Sequence, residues 1–402
     1  MSIGSKLHQH TASAPVGFLE LFYDLVFVAS TVVLSNEFSH NPTWRSGGLC
    51  ALMFVLIWLL WFHTTVLMNV DRRDDLAQRA LMFTQMFLIF ILVLEFVDRS
   101  TTSPDAVGII YTAAVFVLAV AYHRVRNREG GTGAWATGRR NRLLLAGVAM
   151  IVAFAIPDGI DFVIWGVAIM LLVVPTSAAH SRGLPTEAID EHHLTERAAL
   201  LTLVVIGEAF LKVALVVSEG SLGWGDIVTI IVLFVALFAL FSIYFDDVPK
   251  AGIRPGILAG EAWLLFHLIM QMGIIALAVG MSKYLQIAEG GHVHDYAIVI
   301  LCLAFIAIFL GLAGIGLLGQ RTPRRPLLLL RLATVALVVI GAVLTWDVSA
   351  IAPVAYIFFL LAVVVGHALL DEFLQRSTTV PEHGGLGTAD TGLELNYDEG
   401  LS

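Results

Sequence analysis

Long apolar runs, separated by short polar segments, recur along the whole chain. Uncharged stretches cover residues 227–245, 297–319 and 348–370, and each is close to the roughly 20 residues that a helix needs to cross about 30 Å of hydrocarbon. The runs are continuous, whereas the strands of a membrane barrel alternate apolar and polar residues. In lipid, each segment that is not part of a closed barrel must satisfy the hydrogen bonds of its own backbone, and an α-helix does so. The pattern therefore predicts an all-α, polytopic transmembrane helical bundle.

About twelve spans are predicted, six in each half of the chain. The fifth is short and is followed at once by Pro157, so it could instead lie at the interface or pair re-entrantly with the sixth. The predicted organisation is an amino-terminal segment (1–15), a first transmembrane half (16–179), a second half (180–372) and a disordered acidic tail (373–402). The predicted spans are residues 16–38, 46–69, 79–97, 106–123, 143–156, 162–179, 197–217, 227–245, 257–282, 296–319, 327–346 and 348–370.

The distribution of Lys and Arg predicts the orientation of these spans. With both termini inside, every Lys and Arg falls in an inner segment or at an inner span end, except Arg45, Arg99, Lys283 and Lys212. Positive charge is retained on the cytoplasmic side of membrane proteins. The sequence therefore predicts a multi-pass membrane protein with both termini cytoplasmic.

Two correspondences between the halves suggest a parallel duplication, six helices followed by six of the same orientation. Gln85 in the third span and Gln271 in the ninth are each followed by Met, and Glu20 and Glu196 open the first and seventh spans. Some transporter folds are built from such parallel repeats. The two pairs differ in their offsets, 186 and 176 residues, so loop lengths must have changed between the halves.

Composition excludes several classes of protein. Hydrophobic residues make up 58% of the chain and charged residues 14%, above the roughly 45–50% apolar content of a soluble domain. Two cysteines do not make a disulfide framework. The chain has no phosphate-gripping GxxxxGK[ST] loop, so ATP does not drive it directly. Neither a cofactor nor a nucleic-acid partner is expected. The Arg-rich run at 124–142 is predicted to bind anionic lipid headgroups.

Two carboxylates in the first span are the first candidate site. An acid at a helix centre costs about 2.5 to 3.5 kcal/mol on insertion scales, so it must face protein or water. Glu20 and Asp24 are four residues apart and lie on one helical face. Their mutual repulsion makes the pair a candidate proton or cation site. The alternative is that both cap the helix or pair with arginines near the cytoplasmic surface.

A second group of polar residues is expected near the middle of the spans. Glu208 lies about ten residues into the seventh span with Lys212 one turn further on, a spacing that favours a local ion pair. His63, His267 and Gln271 also lie within spans, and Gln271 shares a face with His267. Together with the acids they would form a polar cluster or an inward-facing vestibule.

Two further acids lie near span ends and are not assigned to this cluster. Each buried group also has a purely structural interpretation. Glu95 and Glu261, near span ends, are assigned to the membrane surface. The Glu208 and Lys212 pair could be only a helix-packing device. Each histidine could be an ordinary interhelical hydrogen bonder.

Three segments resemble the bacterial low-temperature-requirement A (LtrA) membrane protein family. They are FLELFYDLVFV at 18–28, the segment from Glu196 to Glu208 and the stretch 267–280, and the resemblance extends over roughly 15–372. It implies a multi-span membrane protein in a family named for growth in the cold. On the matching motifs it carries over Glu20, Phe22, Asp24, Glu196, Arg197, Gly207 and Glu208.

The sequence therefore predicts a secondary transporter or ion-permeation protein for a small solute or cation, with protons coupled through Glu20, Asp24 and Glu208. The alternative is a non-transporting protein that supports cold adaptation, as a scaffold or a lipid-modifying enzyme. The sequence pattern shows no acid together with a nucleophile or a set of metal-ligating residues, and this disfavours an enzyme. A pathway requires the intramembrane acids to converge on a hydrated cavity, whereas a scaffold would seal them singly in dry packing. Substrate and oligomeric state are not predicted.

Overall fold

Twelve α-helices, and no strands, make up the part of the chain that the computed structural model describes, namely residues 16–40, 42–97, 104–127, 132–156, 159–174, 190–219, 224–288, 295–320, 325–345 and 352–377. The predicted terminal segment 1–15 and most of the acidic tail lie outside these ranges. The helices are α1 (Phe18–His40), α2 (Trp44–Val70), α3 (Leu76–Val97), α4 (Pro104–Val125), α5 (Thr132–Ala153), α6 (Ile160–Val173), α7 (Glu191–Glu219), α8 (Trp224–Ala251), α9 (Ile257–Ala288), α10 (Asp295–Leu317), α11 (Arg325–Thr345) and α12 (Ala352–Ser377).

Nine of these described helices, α1 to α4 and α8 to α12, are long and apolar enough to cross a membrane. The fold class is therefore confirmed as a polytopic helical bundle. The other three are exceptions for different reasons. Helix α6 is apolar but has only 14 residues. Helices α5 and α7 carry charged side chains such as Arg139 and Arg197, which the bundle buries.

Several helices extend beyond the predicted spans, and the differences in α5 and α12 are the most informative. Helix α5 begins at Thr132, well before the predicted start at 143, because its polar first half is buried against protein: Trp135 and Arg139 are almost fully inaccessible. Helix α12 continues to Ser377, beyond the predicted start of the tail at 373. In both cases a polar stretch that hydropathy assigns to a loop continues the helix.

The turns between helices use ordinary capping chemistry. Thr43 and Ser46 form a capping box that starts α2, with Ser46 N donating to Thr43 Oγ1 over 3.1 Å. Gly252 and Gly256 have φ values of +68° and +112°, which glycine adopts without strain, and they turn the chain from α8 into α9. Short, specific turns of this kind favour antiparallel packing of successive helices.

The packing order of the first six helices recurs in the second six. In the first half α1 packs on α2 and α3, α4 on α2, α3 and α5, and α6 on α2 and α5. Each of these pairs has its counterpart six helices later, from α7 with α8 and α9 to α12 with α8 and α11. This is the arrangement that a parallel duplication of six helices produces.

In the described part of the chain, the two halves meet chiefly through four helices, α1, α2, α7 and α9, which we call the central helices. Helices α1 and α7 run in the same direction. Glu20 near the start of α1 contacts Arg197 near the start of α7, whereas Asn36 near the end of α1 contacts Lys212 late in α7. The buried surfaces of both halves therefore share one polar interface along these helices.

Candidate functional site

The two acids of α1 are bound together by one arginine from α7. Arg197 Nη1 lies 3.0 Å from Glu20 Oε2, and Arg197 Nη2 lies 3.2 Å from Asp24 Oδ1. His193 Nε2 lies 3.2 Å from the same Glu20 oxygen. Trp61 Nε1 donates to Asp24 Oδ1 over 2.6 Å, and its ring lies 5.7 Å from the guanidinium carbon. We call these five residues the Arg197 cluster.

The Arg197 cluster is buried and carries an excess of negative groups. Its two carboxylates share one guanidinium, and Arg197 has no exposed surface. Asp24 Oδ2 is buried and makes no hydrogen bond to any described residue. An unsatisfied buried carboxylate oxygen is costly, so this atom is where a proton or a cation would gain most. The pairing with arginine that the sequence left as an alternative is thus present.

A hydrogen-bond network between the end of α2 and the start of α7 covers the Arg197 cluster. Asn69 Nδ2 donates to the Asp190 carbonyl over 2.8 Å, and Asp190 accepts from His193 N over 3.0 Å and pairs with Arg72. Burial raises the pKa of Asp190, but the His193 N–H and Arg72 outweigh it, so the pKa is lowered. The carboxylate is the N-cap that anchors the start of α7.

A second polar layer lies deeper in the central helices. Trp58 Nε1 donates to Gln271 Oε1 over 3.1 Å, and Gln271 Nε2 donates to Thr202 Oγ1 over 3.1 Å. This chain of bonds connects α2, α9 and α7, and it uses both ends of the Gln271 amide. Gln271 has no exposed surface, so the layer is sealed in this conformation.

His267 lies one turn before Gln271 but has a separate set of partners. Its Nδ1 lies 2.9 Å from the Trp263 carbonyl, and Tyr244 Oη lies 3.0 Å from Nε2. Since a carbonyl only accepts, Nδ1 carries a proton and donates to Trp263. Both ring nitrogens of His267 are therefore engaged by protein.

A third polar layer joins the far ends of α1 and α7. Ser35 Oγ donates to Glu208 Oε1 over 2.9 Å and accepts from Lys212 Nζ over 3.2 Å. Lys212 also donates to Asn36 Oδ1 over 2.9 Å. The two charged groups predicted as a local pair are thus bridged by the Ser35 hydroxyl. Glu208 Oε2 is buried without a hydrogen-bond partner among the described residues.

His63 belongs to a different group, between α2, α5 and α9. Arg139 Nη1 donates to His63 Nδ1 over 3.1 Å, and His63 Nε2 lies 3.2 Å from the Leu172 carbonyl. Arg139 also pairs with Glu261. Both partners of that pair are 1% exposed, so the expectation that Arg139 faces lipid headgroups is wrong, and Glu261, near the start of α9, is covered by protein. An internal ion pair removes both charges from lipid at once.

Three other arginines of the 124–142 run, Arg124, Arg140 and Arg142, also bond to protein, whereas Arg126 is exposed. Arg124 donates twice to Asp75, over 2.7 and 2.8 Å, and Arg142 donates to the Val174 carbonyl over 2.8 Å. Arg140 donates to Asn141. These contacts leave the run less available to lipid than its composition indicates.

The seven candidate pathway residues, Glu20, Asp24, His63, Glu208, Lys212, His267 and Gln271, are all buried, but they do not meet in one vestibule. Of the other residues that the family resemblance carried over, Phe22 and Gly207 are exposed and Glu196 is partly exposed. Glu20 and Asp24, then Gln271, then Glu208 and Lys212 occupy three separate layers along the central helices. Hydropathy reasoning missed the groups that join the helices within each layer, because an uncharged tryptophan, serine or threonine does not stand out in a predicted span. These connecting residues are Ser35, Trp58, Trp61 and Thr202.

Comparison with known proteins agrees with this architecture. The profile of the bacterial low temperature requirement A protein (LtrA) matches residues 15–366. A similar protein is the uncharacterized protein RA0937 of Rhizobium meliloti (strain 1021), which is 25% identical over 295 residues, 68% of this chain and 70% of the relative. The matched region contains all three polar layers. The chain belongs to the bacterial low temperature requirement A (LtrA) family.

Proposed function

We propose that this protein is a secondary transporter that moves a small cation, or a small solute coupled to protons, along the central helices. The observation that carries the proposal is the series of three polar layers on α7. Arg197, Thr202 and Lys212 mark their positions. At 1.5 Å of rise per residue the series covers about 22 Å of the roughly 30 Å hydrocarbon core.

The location of the layers supports transport. They lie where the two halves meet, which is where transporters built from repeats bind their substrates. Two of the layers contain a buried carboxylate oxygen without a hydrogen-bond partner in the described chain, Asp24 Oδ2 and Glu208 Oε2. A bundle that served only as an anchor would gain stability from apolar residues at these positions.

Transport along this route requires a change of conformation. By helical rise, Arg197 and Thr202 are about 8 Å apart along α7, and Thr202 and Lys212 about 15 Å, too far for direct hydrogen bonds between the layers. The fully buried side chains of Phe27, Leu201 and Val205 lie on α1 and α7 between the first and third layers. The described conformation is accordingly occluded, and rocking of one half against the other would open each layer in turn.

A scaffold role is the second candidate, favoured by the same sealing. Each ionisable member of the three layers has at least one protein partner, as expected for groups that fasten helices together. Under this alternative, neutral substitutions would lower stability without abolishing any flux. The localisation that we propose for either role is the bacterial cell membrane, with the ends of α2 and α4 facing the cytoplasm.

The deciding experiment measures proton, Na⁺ and K⁺ flux in proteoliposomes. The wild type is compared with Asp24→Asn and Glu208→Gln. Matched controls are Asp105→Asn, at an exposed position in the first turn of α4, and Glu95→Gln, at the far end of α3. The proposal expects flux of one ion above that of empty liposomes, abolished by the two site variants and kept by the controls. Absent flux in the wild type, or unchanged flux in both folded site variants, would refute it.

A further inference from the structure

A cavity of about 680 Å³ lies among α8, α10, α11 and α12, away from the central helices. Its lining comes from the last turns of α8, α10 and α12 and the first turns of α11. The volume is within the roughly 300–1,000 Å³ of small-molecule pockets. None of the residues in the three polar layers lines it, so it is a separate site.

The walls of the cavity are largely apolar, and acids outnumber bases in its lining. Apolar side chains such as Phe238 and Leu369 face it, together with four acids and two bases. Both bases already have acidic partners. Lys250 Nζ lies 3.1 Å from Asp246 Oδ1, and Arg331 pairs with Asp247. The charged lining residues are Asp246, Asp247, Lys250, Arg331, Asp371 and Glu372.

Asp371 is the acid in this lining whose position requires an explanation. It is 2% exposed and its Oδ1 has no hydrogen-bond partner in the described chain. Gln375 bonds to the Asp371 carboxyl, and Arg331 interacts with it electrostatically. The Arg331 guanidinium is itself held by Asp247 and by the Leu312 carbonyl, to which its Nη1 donates over 2.7 Å. A carboxylate oxygen left unsatisfied in an apolar cavity attracts a positive group.

A comparison of the two halves explains why the described second half is open here and the corresponding region of the first half is filled. Arg139 on α5 and Arg331 on α11 lie on the fifth helix of each half, and both are buried. Four residues before Arg139 stands Trp135, which is fully buried and covers the guanidinium at 5.8 Å. Four residues before Arg331 stands Leu327, which is smaller and lines the cavity. The space that an indole fills in the first half is therefore available in the second.

We propose that this cavity binds an amphipathic organic cation, with its apolar body against the walls and its positive group at Asp371. Apolar walls and an excess of acids select this class over an anionic or a purely polar ligand. The positive group of a free amphipathic amine and that of an aminophospholipid share this chemistry. The site is independent of the proposed transport along the central helices.

The test is equilibrium binding of radiolabelled tetraphenylphosphonium to the full chain in phosphatidylcholine nanodiscs, with empty nanodiscs as the blank. Tetraphenylborate, an anion of nearly the same shape, is the matched control ligand. Asp371→Asn removes the charge, Leu327→Trp fills the space, and Glu95→Gln is the control variant. We expect saturable phosphonium binding by the wild type, weakened at least about tenfold by each site variant, with little binding of the borate.

Three results would overturn the proposal: no saturable phosphonium binding by the wild type, borate binding of equal affinity, or unchanged binding in both site variants. If Asp371→Asn does not elute as a folded species, Leu327→Trp decides alone, since it leaves every charge in place. Repeating the measurement with phosphatidylethanolamine in the nanodiscs identifies the source of the amine. Competition assigns the site to a lipid headgroup, and unchanged binding assigns it to a free cation.

Discussion

The indole Nε1 of Trp61 donates a 2.6 Å hydrogen bond to Oδ1 of Asp24, the same oxygen that lies 3.2 Å from Arg197 Nη2. One carboxylate oxygen therefore connects α1, α2 and α7. Hydrogen bonds to charged groups contribute about 1.5–3 kcal/mol each, and more is lost when a buried partner is left unsatisfied. Asp24 is thus a structural junction as well as a candidate site.

Trp61→Phe keeps an aromatic ring beside Arg197 but removes the donor to Asp24. We expect the free energy of unfolding to fall by about 1–3 kcal/mol. Chemical denaturation in detergent measures the change. Trp165→Phe is the control, since that indole packs on Phe154 at the surface of α6 and is partly exposed. Equal losses in the two variants would mean that the bond to Asp24 contributes nothing specific.

The buried pair of Arg139 and Glu261 predicts strong coupling. Removal of one partner, in Arg139→Met or Glu261→Met, should cost about 3–5 kcal/mol because it leaves a buried charge unpaired. The double variant should recover much of that loss. A double-mutant cycle on unfolding free energies gives the coupling energy. Simple additivity of the two losses would contradict the pairing.

Asp75, outside the spans, predicts a pH dependence. Hydrogen bonds from Arg124 and from Gln78 N hold the pKa of this carboxyl below its ordinary value of 3.8. Because the pKa is lower in the folded state, the stabilisation is complete above the unfolded pKa and is lost as pH falls through the folded one. Melting temperature should drop less steeply with acid in Asp75→Asn than in the wild type. Parallel curves would show that Asp75 is not responsible.

Gly311 predicts a packing limit between α9 and α10. A Cβ there would lie 2.7 Å from Met270 Cβ and 2.8 Å from Met270 N. Gly311→Val must push the helices apart, and we expect a loss of about 1–3 kcal/mol on overpacking. Gly48→Val is the control, since no atom lies within 4 Å of the corresponding Cβ. The same denaturation assay compares the two, and an unaffected Gly311 variant would exclude the tight contact.

The proposed orientation is tested by cysteine labelling. Asn127, just after α4, is exposed, and Asp105 is exposed at the other end of that helix. With Cys50 and Cys302 replaced by alanine, Asn127→Cys should react with a membrane-impermeant maleimide only after the cells are opened. Asp105→Cys should react in intact cells. The reverse pattern would invert the topology.

Much of the fold follows from the sequence because lipid imposes one strong rule, that each span be long, apolar and helical. Helices α1 to α4 and α8 to α12 obey it. The start of α5 does not, since Trp135 and Arg139 are covered by protein and not by lipid. Hydropathy indicates whether a segment prefers lipid or water, and it cannot recognise polar residues that another helix will cover.

The candidate site was predictable in its residues but not in its connections. Four residues stand out because a charged side chain in the hydrocarbon core costs free energy. They are Glu20, Asp24, Glu208 and Lys212. Their partners come from residues far away in the chain, and only packing decides which of them meet. Ser35 illustrates the difficulty, because a single hydroxyl near the end of the first span gives no hint that it bridges Glu208 and Lys212.

The long sequence separation between the paired charges of α1 and α7 also has a consequence for biosynthesis. Glu20 and Asp24 leave the ribosome far ahead of the arginine that neutralises them, since Arg197 follows 177 residues after Glu20. Until α7 is translated, the first helix carries two acids that the bilayer disfavours. Its insertion must therefore be completed late, or be held meanwhile beside water or an insertion factor, and a ribosome halted before α7 would leave a half-protein exposed to membrane quality control.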